Sequence, residues 1–193
     1  MTKRVGITGG IGSGKSVVSR ILRAMGYKVY DADWNSKRLC ATDSHLKAAL
    51  TEAFGHIYNE DGTLNRALFA SIIFGHPDQL QKANAIIHPL VTRDFLESSE
   101  KAVSNVGIVF VESAILLECE LKKHVEKVIT VCAQEDVRLK RIVQRDGCSE
   151  ESARARINSQ MAEKDRAEAA DFIVTNNDGD FLTPQIDKII TQL

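Results

Sequence analysis

The 193-residue sequence predicts a three-layer α/β fold, a parallel five-stranded sheet between helices, carrying a helical insertion and a small helical lid. Three observations predict it. Five short apolar runs read as buried strands, helical patterns separate them, and the first run leads straight into a glycine-rich phosphate-binding motif.

Val5-Gly6-Ile7-Thr8 suits a central parallel strand, and it enters Gly9-Gly10-Ile11-Gly12-Ser13-Gly14-Lys15-Ser16, a complete G-x-x-x-x-G-K-S/T loop. Val17, Val18, Ile21, Leu22 and Met25 then repeat at helical spacing, so the order is strand, loop, helix. The motif works only in that order. Glycines permit turns that a side chain blocks, and successive N–H groups then face phosphate oxygens beside a helix N-terminus. Lys15 is expected to reach the β/γ-phosphates and Ser16 to offer a hydroxyl to Mg²⁺. The core is accordingly expected to be P-loop NTPase-like. A plain glycine-rich turn would leave the flanks and the fixed positions without a reason.

Tyr27-Lys28-Val29-Tyr30 reads as the second strand and ends in Asp31-Ala32-Asp33. Ligands of open α/β sheets lie beyond the C-terminal ends of the strands, so these acids are expected on the same rim as the loop. Either acid can accept a proton from an attacking hydroxyl while the other orients Mg²⁺ through water or bonds the backbone. Either can instead cap the next helix, and spacing does not separate the roles. From Asn35 to about Ser104 the pattern is mostly helical, with breaks at Asp61-Gly62 and His76-Pro77. That is too long for an ordinary crossover and is expected to supply a second substrate's pocket. Trp34, Phe54, Phe69 and Phe74 read as core or pocket lining. His88, before Pro89 in an apolar segment, reads from spacing alone as structural.

Val106–Val111, ending in Glu112, and Val128–Cys132 read as buried parallel strands. Glu135 to Lys164 is a charged helical stretch broken at Gly147-Cys148-Ser149, where Ser149 caps a helix whose first turn holds Glu150 and Glu151. Two short helices around a turn form the expected lid. Arg138, Arg141 and Arg145 share one face of the first, with Leu139, Ile142 and Val143 on another, and guanidinium forks suit phosphate oxygens. The competing reading is a solvated face paired with acids such as Asp136. Arg154, Arg156 and Gln160 repeat the theme on the next helix. Phe172–Thr175 is the last strand, before Asn176-Asn177-Asp178-Gly179, and a helix containing Ile186, Ile189, Ile190 and Leu193 closes the chain. The expected division is a nucleotide core of 1–33, 104–137 and 166–193, an insertion of 34–103 and a lid of 138–165.

The 44% hydrophobic and 26% charged fractions are those of a globular protein, and a net charge of −1 supplies no global attraction to nucleic acid. The cysteines Cys40, Cys119, Cys132 and Cys148 form no C-x-x-C pair and read as buried reduced thiols. The sequence enters the first strand directly, so a charged leader before a longer apolar segment is not expected, and no stretch approaches about 18 uninterrupted apolar residues. A cytoplasmic protein is expected, without a nucleic-acid, membrane or obligate protein partner.

Taken together these residues resemble dephospho-coenzyme A kinases, which phosphorylate the ribose 3′-hydroxyl of dephospho-CoA with ATP in the last step of coenzyme A synthesis. The resemblance rests on Thr8 to Ser16, Asp31-Ala32-Asp33, Asp61-Gly62 with Leu64 and Arg66, Ile87-His88-Pro89, Arg141 and Arg145 before Asp146, Arg156-Ile157 with Gln160, and Ala170-Asp171 before Asn176-Asn177. It implies Asp33 as general base, with Lys15 and Arg141 as its catalytic companions. It implies ATP contacts from Gly10, Ile11, Gly12, Ser13, Gly14, Lys15, Ser16, Val17, Arg145 and Asn177, with Mg²⁺ on Ser16. Dephospho-CoA contacts are implied for Thr8, Asp31, Asp33, Arg66, His88 and Arg156. Val17 stands where the family usually has threonine, and Glu112 to Glu118 lacks a customary proline. Two other readings use the same loop: a kinase of another small alcohol or nucleotide, and a non-catalytic ATP-binding regulatory module. An N-K-x-D motif and a switch element are missing, and a long insertion with an arginine lid fits a two-substrate enzyme better.

Overall fold

In the computed structural model, which describes residues 2–73, 75–101 and 107–193, β1 (Lys3–Gly9) is the central strand and its last five residues are buried. It pairs in parallel with β3 (Ile108–Glu112), Val5 opposite Phe110, and with β4 (Lys127–Cys132), Ile7 opposite Ile129. β5 (Phe172–Thr175) extends the sheet beside β4, and β2 (Lys28–Asp31) lies beyond β3, giving the order β2-β3-β1-β4-β5. The chain leaves β1 toward one edge and later returns to its other side. The loop after β1 therefore opens at the point where the strand order reverses, the place where sheets of this kind hold ligands.

Contacts divide the chain into two bodies, Met1–Tyr30 with Ser99–Leu193, and Asp31–Ser98. In the first body, Val5 and Ile7 of β1 pack with Val18 and Leu22 of α1 (Lys15–Ala24), Phe110, Ile129, Val131 and Val174 of the other strands, and Ile186 and Ile189 of α9 (Leu182–Ile190). Most of these side chains have no exposure to water, and each contributes about 1.5–3 kcal/mol of hydrophobic stabilisation. Central strands covered on both faces must be apolar throughout, which is why they read as unbroken runs. Tyr27, expected inside the second strand, instead precedes β2 and meets Phe110 edge-on at 5.4 Å. Two 3₁₀ turns, Leu116–Glu118 and Glu120–His124, join β3 to β4.

α6 (Glu135–Asp146) and α7 (Glu150–Asn158) share a small core of Leu139, Ile142, Ala153 and Ile157, against which Ile11 of the phosphate loop packs. Gly147 ends α6 in the left-handed region, and Ser149 Oγ accepts from the Ser152 N–H to start α7, as its position predicts. α8 (Glu163–Glu168) follows.

The second body contains α2 (Ala32–Thr42), α3 (Ser44–Phe54), α4 (Arg66–Ile73) and most of α5 (Pro77–Glu100), which runs through Pro89. Leu46, Leu50, Ile57 and Phe95 are fully buried, and Phe54 meets Phe69 edge-on at 5.3 Å. The Asp61-Gly62 break is a turn: Asp61 Oδ1 accepts from Thr63 N–H at 2.9 Å, and Gly62 has φ +78°. Of the two places expected for Trp34, core or pocket lining, its 60% exposure rules out the core, and the Arg38 guanidinium lies 6.0 Å above its ring. A side chain in the first turn of α2 can satisfy helical spacing and still point outward. Cys40 is buried as expected, whereas Cys119, Cys132 and Cys148 are only partly so, and none of the four is in a disulfide. Val106 and Phe74 lie outside the described residues.

Candidate active site

β1 delivers the chain to Gly9 and α1 begins at Lys15, so the intervening residues turn the backbone through a tight loop closed by the Ser13 N–H to Gly10 carbonyl bond of 3.1 Å. Gly12 and Gly14 have φ of +79° and +96°, conformations in which a side chain is strained. Gly14 caps α1 without a side chain, and no acid in the first turn competes for the helix dipole. An uncapped helix N-terminus of this kind is built for an anion. Lys15 Nζ arches back to donate to the Gly9 carbonyl at 2.8 Å and the Gly10 carbonyl at 3.4 Å. Ser16 is exposed in the first turn, while Ser13 is fully buried.

Among the described residues, four side chains outside the motif hold this loop. Asn176, just after β5, donates from Nδ2 to the Ser13 carbonyl at 2.8 Å, and its own carbonyl accepts from Arg141 Nη1 at 2.9 Å. Arg141 also approaches the Gly12 carbonyl at 3.4 Å and Asp178 at 3.6 Å. Arg138, only 4% exposed, donates from Nε to the Ile11 carbonyl at 2.9 Å and pairs through Nη1 with Glu163 at 2.7 Å. Gln160 Oε1 accepts from the Ile11 N–H at 2.7 Å. Arg166 lies buried behind them and donates to the Met161 carbonyl at 2.7 Å; burial and the nearby Arg138 charge push its pKa down, opposed by Glu163 and Glu118. A cavity of about 500 Å³ opens beside Arg138, Gln160 and Glu163.

The structure thus groups Gly10 to Val17 with Arg141. Thr8, buried at the end of β1, reaches the Ala114 carbonyl at 3.4 Å, and Asn177 Oδ1 accepts from the Gln134 N–H at 2.8 Å. Arg145 and Arg156 come together elsewhere, both bound to Asp146, Arg145 in a fork of 2.7 and 2.9 Å and Arg156 at 2.9 Å. Their hydrogen bonds and charges hold the Asp146 carboxyl below its ordinary range. Arg154 is likewise engaged by Glu135 and Glu150. The acidic partners of this surface are Asp146, Glu135 and Glu150. Asn176 and Arg138 escaped the sequence reading as loop-holding groups. Arg138 stood on the arginine face, but only packing buries it against the loop.

Within the second body the two acids part company. Asp31 Oδ1 accepts from the Trp34 N–H at 2.8 Å, making Asp31 the cap of α2, while its carbonyl accepts from Asn35 Nδ2 at 2.8 Å. Asp33 stands exposed in the first turn of α2. Arg66 opens α4, and His88 sits partly buried in the middle of α5, where burial lowers its pKa and keeps the imidazole neutral near pH 7. Among the described residues no helix is long and apolar enough to cross a membrane, and no three His, Cys, Asp or Glu side chains cluster to cage a metal.

A family model described as dephospho-CoA kinase matches residues 3–181. A dephospho-CoA kinase of Bacteroides fragilis is 39% identical over 194 residues, covering 100% of this chain and 94% of the relative. One from Porphyromonas gingivalis is 42% identical over 187 residues, covering 96% and 92%. A crystal structure of a Thermus thermophilus protein superposes with a TM-score of 0.83 at 28% identity, covering 100% of this chain and 98% of that one. A motif loop built as its chemistry requires, on a chain matched along nearly its whole length, carries one conclusion: this protein belongs to the dephospho-CoA kinase family.

Proposed function

We infer that this chain transfers the γ-phosphoryl group of ATP to the ribose 3′-hydroxyl of dephospho-CoA, releasing ADP and coenzyme A. The observation that carries the chemistry is the phosphate loop itself, an uncapped helix N-terminus with Lys15 folded over it at the centre of a parallel sheet. Phosphoryl transfer asks the protein for position and charge, and this loop supplies both.

In the proposed mechanism the N–H groups of Gly12 to Val17, with Lys15, hold the ATP phosphates, and Gly10 and Ile11 complete the loop. Arg141, already bonded to the Gly12 and Asn176 carbonyls, stabilises charge on the phosphoryl group in transfer. Asp33 accepts the proton of the 3′-hydroxyl as its oxygen bonds to phosphorus and the bond to ADP breaks. The capping bond of Asp31 supports that assignment, because it commits the other carboxylate of the pair to the backbone. Arg66, His88, Arg156 and Thr8 are the proposed dephospho-CoA contacts, with Arg145 and Asn177 on the nucleotide. Residues 138–165 act as a lid over the core, excluding water that would hydrolyse ATP.

The Ser16 hydroxyl fits Mg²⁺, which binds hard oxygens and keeps several waters and phosphate oxygens rather than a protein cage. When bound, the ion neutralises charge on the phosphate oxygens. The proposal also places the enzyme in the cytoplasm. Its test is ATP-dependent conversion of dephospho-CoA to coenzyme A by the purified protein with Mg²⁺, with adenosine, AMP and shikimate as comparison acceptors. Selective conversion of dephospho-CoA is expected. ATP binding with no acceptor-dependent ADP release would leave the loop as a nucleotide site and remove the kinase.

A further inference from the structure

Ile11 sits at the crest of the phosphate loop between two glycines, Gly10 and Gly12, the residue type with the most backbone freedom. The peptide between Gly10 and Ile11 is held at its carbonyl by the Ser13 N–H at 3.1 Å and by Lys15 Nζ at 3.4 Å, which leaves its N–H side and the Ile11 carbonyl to be fixed by groups outside the motif. In this chain both polar groups of Ile11 are held from outside the motif: the N–H by Gln160 Oε1 at 2.7 Å and the carbonyl by Arg138 Nε at 2.9 Å. The holders are themselves tied together. Gln160 follows α7, Glu163 opens α8, and Glu163 binds the buried Arg138 at 2.7 Å. Arg138 also fills the space beside Gly10, where an added Cβ would lie 2.4 Å from Nη2.

From this geometry we propose that Gln160 is a positioning residue for the phosphate loop, fixing the orientation of the Ile11 peptide before nucleotide arrives. It acts through Ile11 and does not touch the reacting atoms. The residue type follows from the task. An amide oxygen accepts an N–H without placing negative charge beside the phosphates, whereas a carboxylate on the same stem would repel them. The segment joining α7 to α8 is thereby part of what shapes the nucleotide site.

The inference rests on the nucleotide reading of the loop and not on the identity of the acceptor, so its test is ADP binding by titration calorimetry. Gln160→Met keeps the length and removes the acceptor, and it is expected to weaken ADP binding about tenfold, as for loss of one hydrogen bond. Ile11→Pro removes the N–H itself. In that background Gln160→Met should change ADP affinity less than about twofold, because the two changes delete the same bond. Amide exchange supplies an independent readout should Ile11→Pro fail to fold: exchange at Ile11 should quicken about tenfold in Gln160→Met. Unchanged ADP affinity in Gln160→Met, equal losses in both backgrounds, or unchanged exchange at Ile11 would each overturn the proposal. Failure of the wild-type protein to phosphorylate dephospho-CoA would remove the kinase reading and leave this cycle legible. Failure of the wild-type protein to bind ADP would overturn both.

Discussion

Replacing Gly14 with alanine puts a methyl group where the structure has none to spare. Gly14 has φ +96°, and a Cβ built there lies 2.0 Å from Asn176 Nδ2. Forcing a side chain into the left-handed region costs about 1–2 kcal/mol. Moving the Asn176 amide breaks its 2.8 Å bond to the Ser13 carbonyl, which is worth about 0.5–1.5 kcal/mol more. The expected loss is about 2–3 kcal/mol, or a fall in Tm of about 4–12 °C for a chain of this size. Gly26 is the internal control, with φ +90° and nothing within 4 Å of its added Cβ, so Gly26→Ala should show only the backbone part. Urea unfolding followed by circular dichroism measures all the variants. In an Asn176→Ala background the contact is already gone, and Gly14→Ala should cost no more than Gly26→Ala. If Gly14→Ala costs the same with and without Asn176, the brace on the loop is not what makes glycine necessary, and the reasoning fails.

Asp33→Asn should lower kcat by about 10²–10⁴ while ADP binding stays within about threefold, since a general base contributes on that scale and the loop is intact; near-normal turnover would remove the base assignment. Arg141→Ala should lower kcat by about 10²–10³ in a steady-state assay, the usual cost of losing one stabilising donor, and normal activity would take it off the catalytic set. Burial holds the His88 pKa below its unfolded value of about 6.5, so the unfolded chain binds more protons in acid. Stability should therefore fall as pH drops below about 6.5, and His88→Gln, measured by urea unfolding across pH, should flatten that slope. A slope unchanged by the substitution would assign the acid sensitivity to other groups.

The strands were legible because a central parallel strand is apolar at every position, and the helix after the loop because its apolar residues recur at the helical period. Caps such as Ser149 follow local rules and were legible for the same reason. Three features were not. Trp34 fits core and pocket lining alike at helical spacing and is 60% exposed, Asp31 and Asp33 have the same residue type two positions apart, and Arg138 resembles any surface arginine.

By itself the sequence determined the strand–loop–helix unit, the residue types able to hold phosphate, and the resemblance that names the reaction, because backbone freedom at glycine and side-chain chemistry are local properties. Tertiary structure decided which acid caps α2, which arginines are spent on Asp146, and which side chains grip the loop at Ile11 and Ser13. Those outcomes depend on which groups distant in sequence arrive within hydrogen-bond reach, and only packing sets that distance.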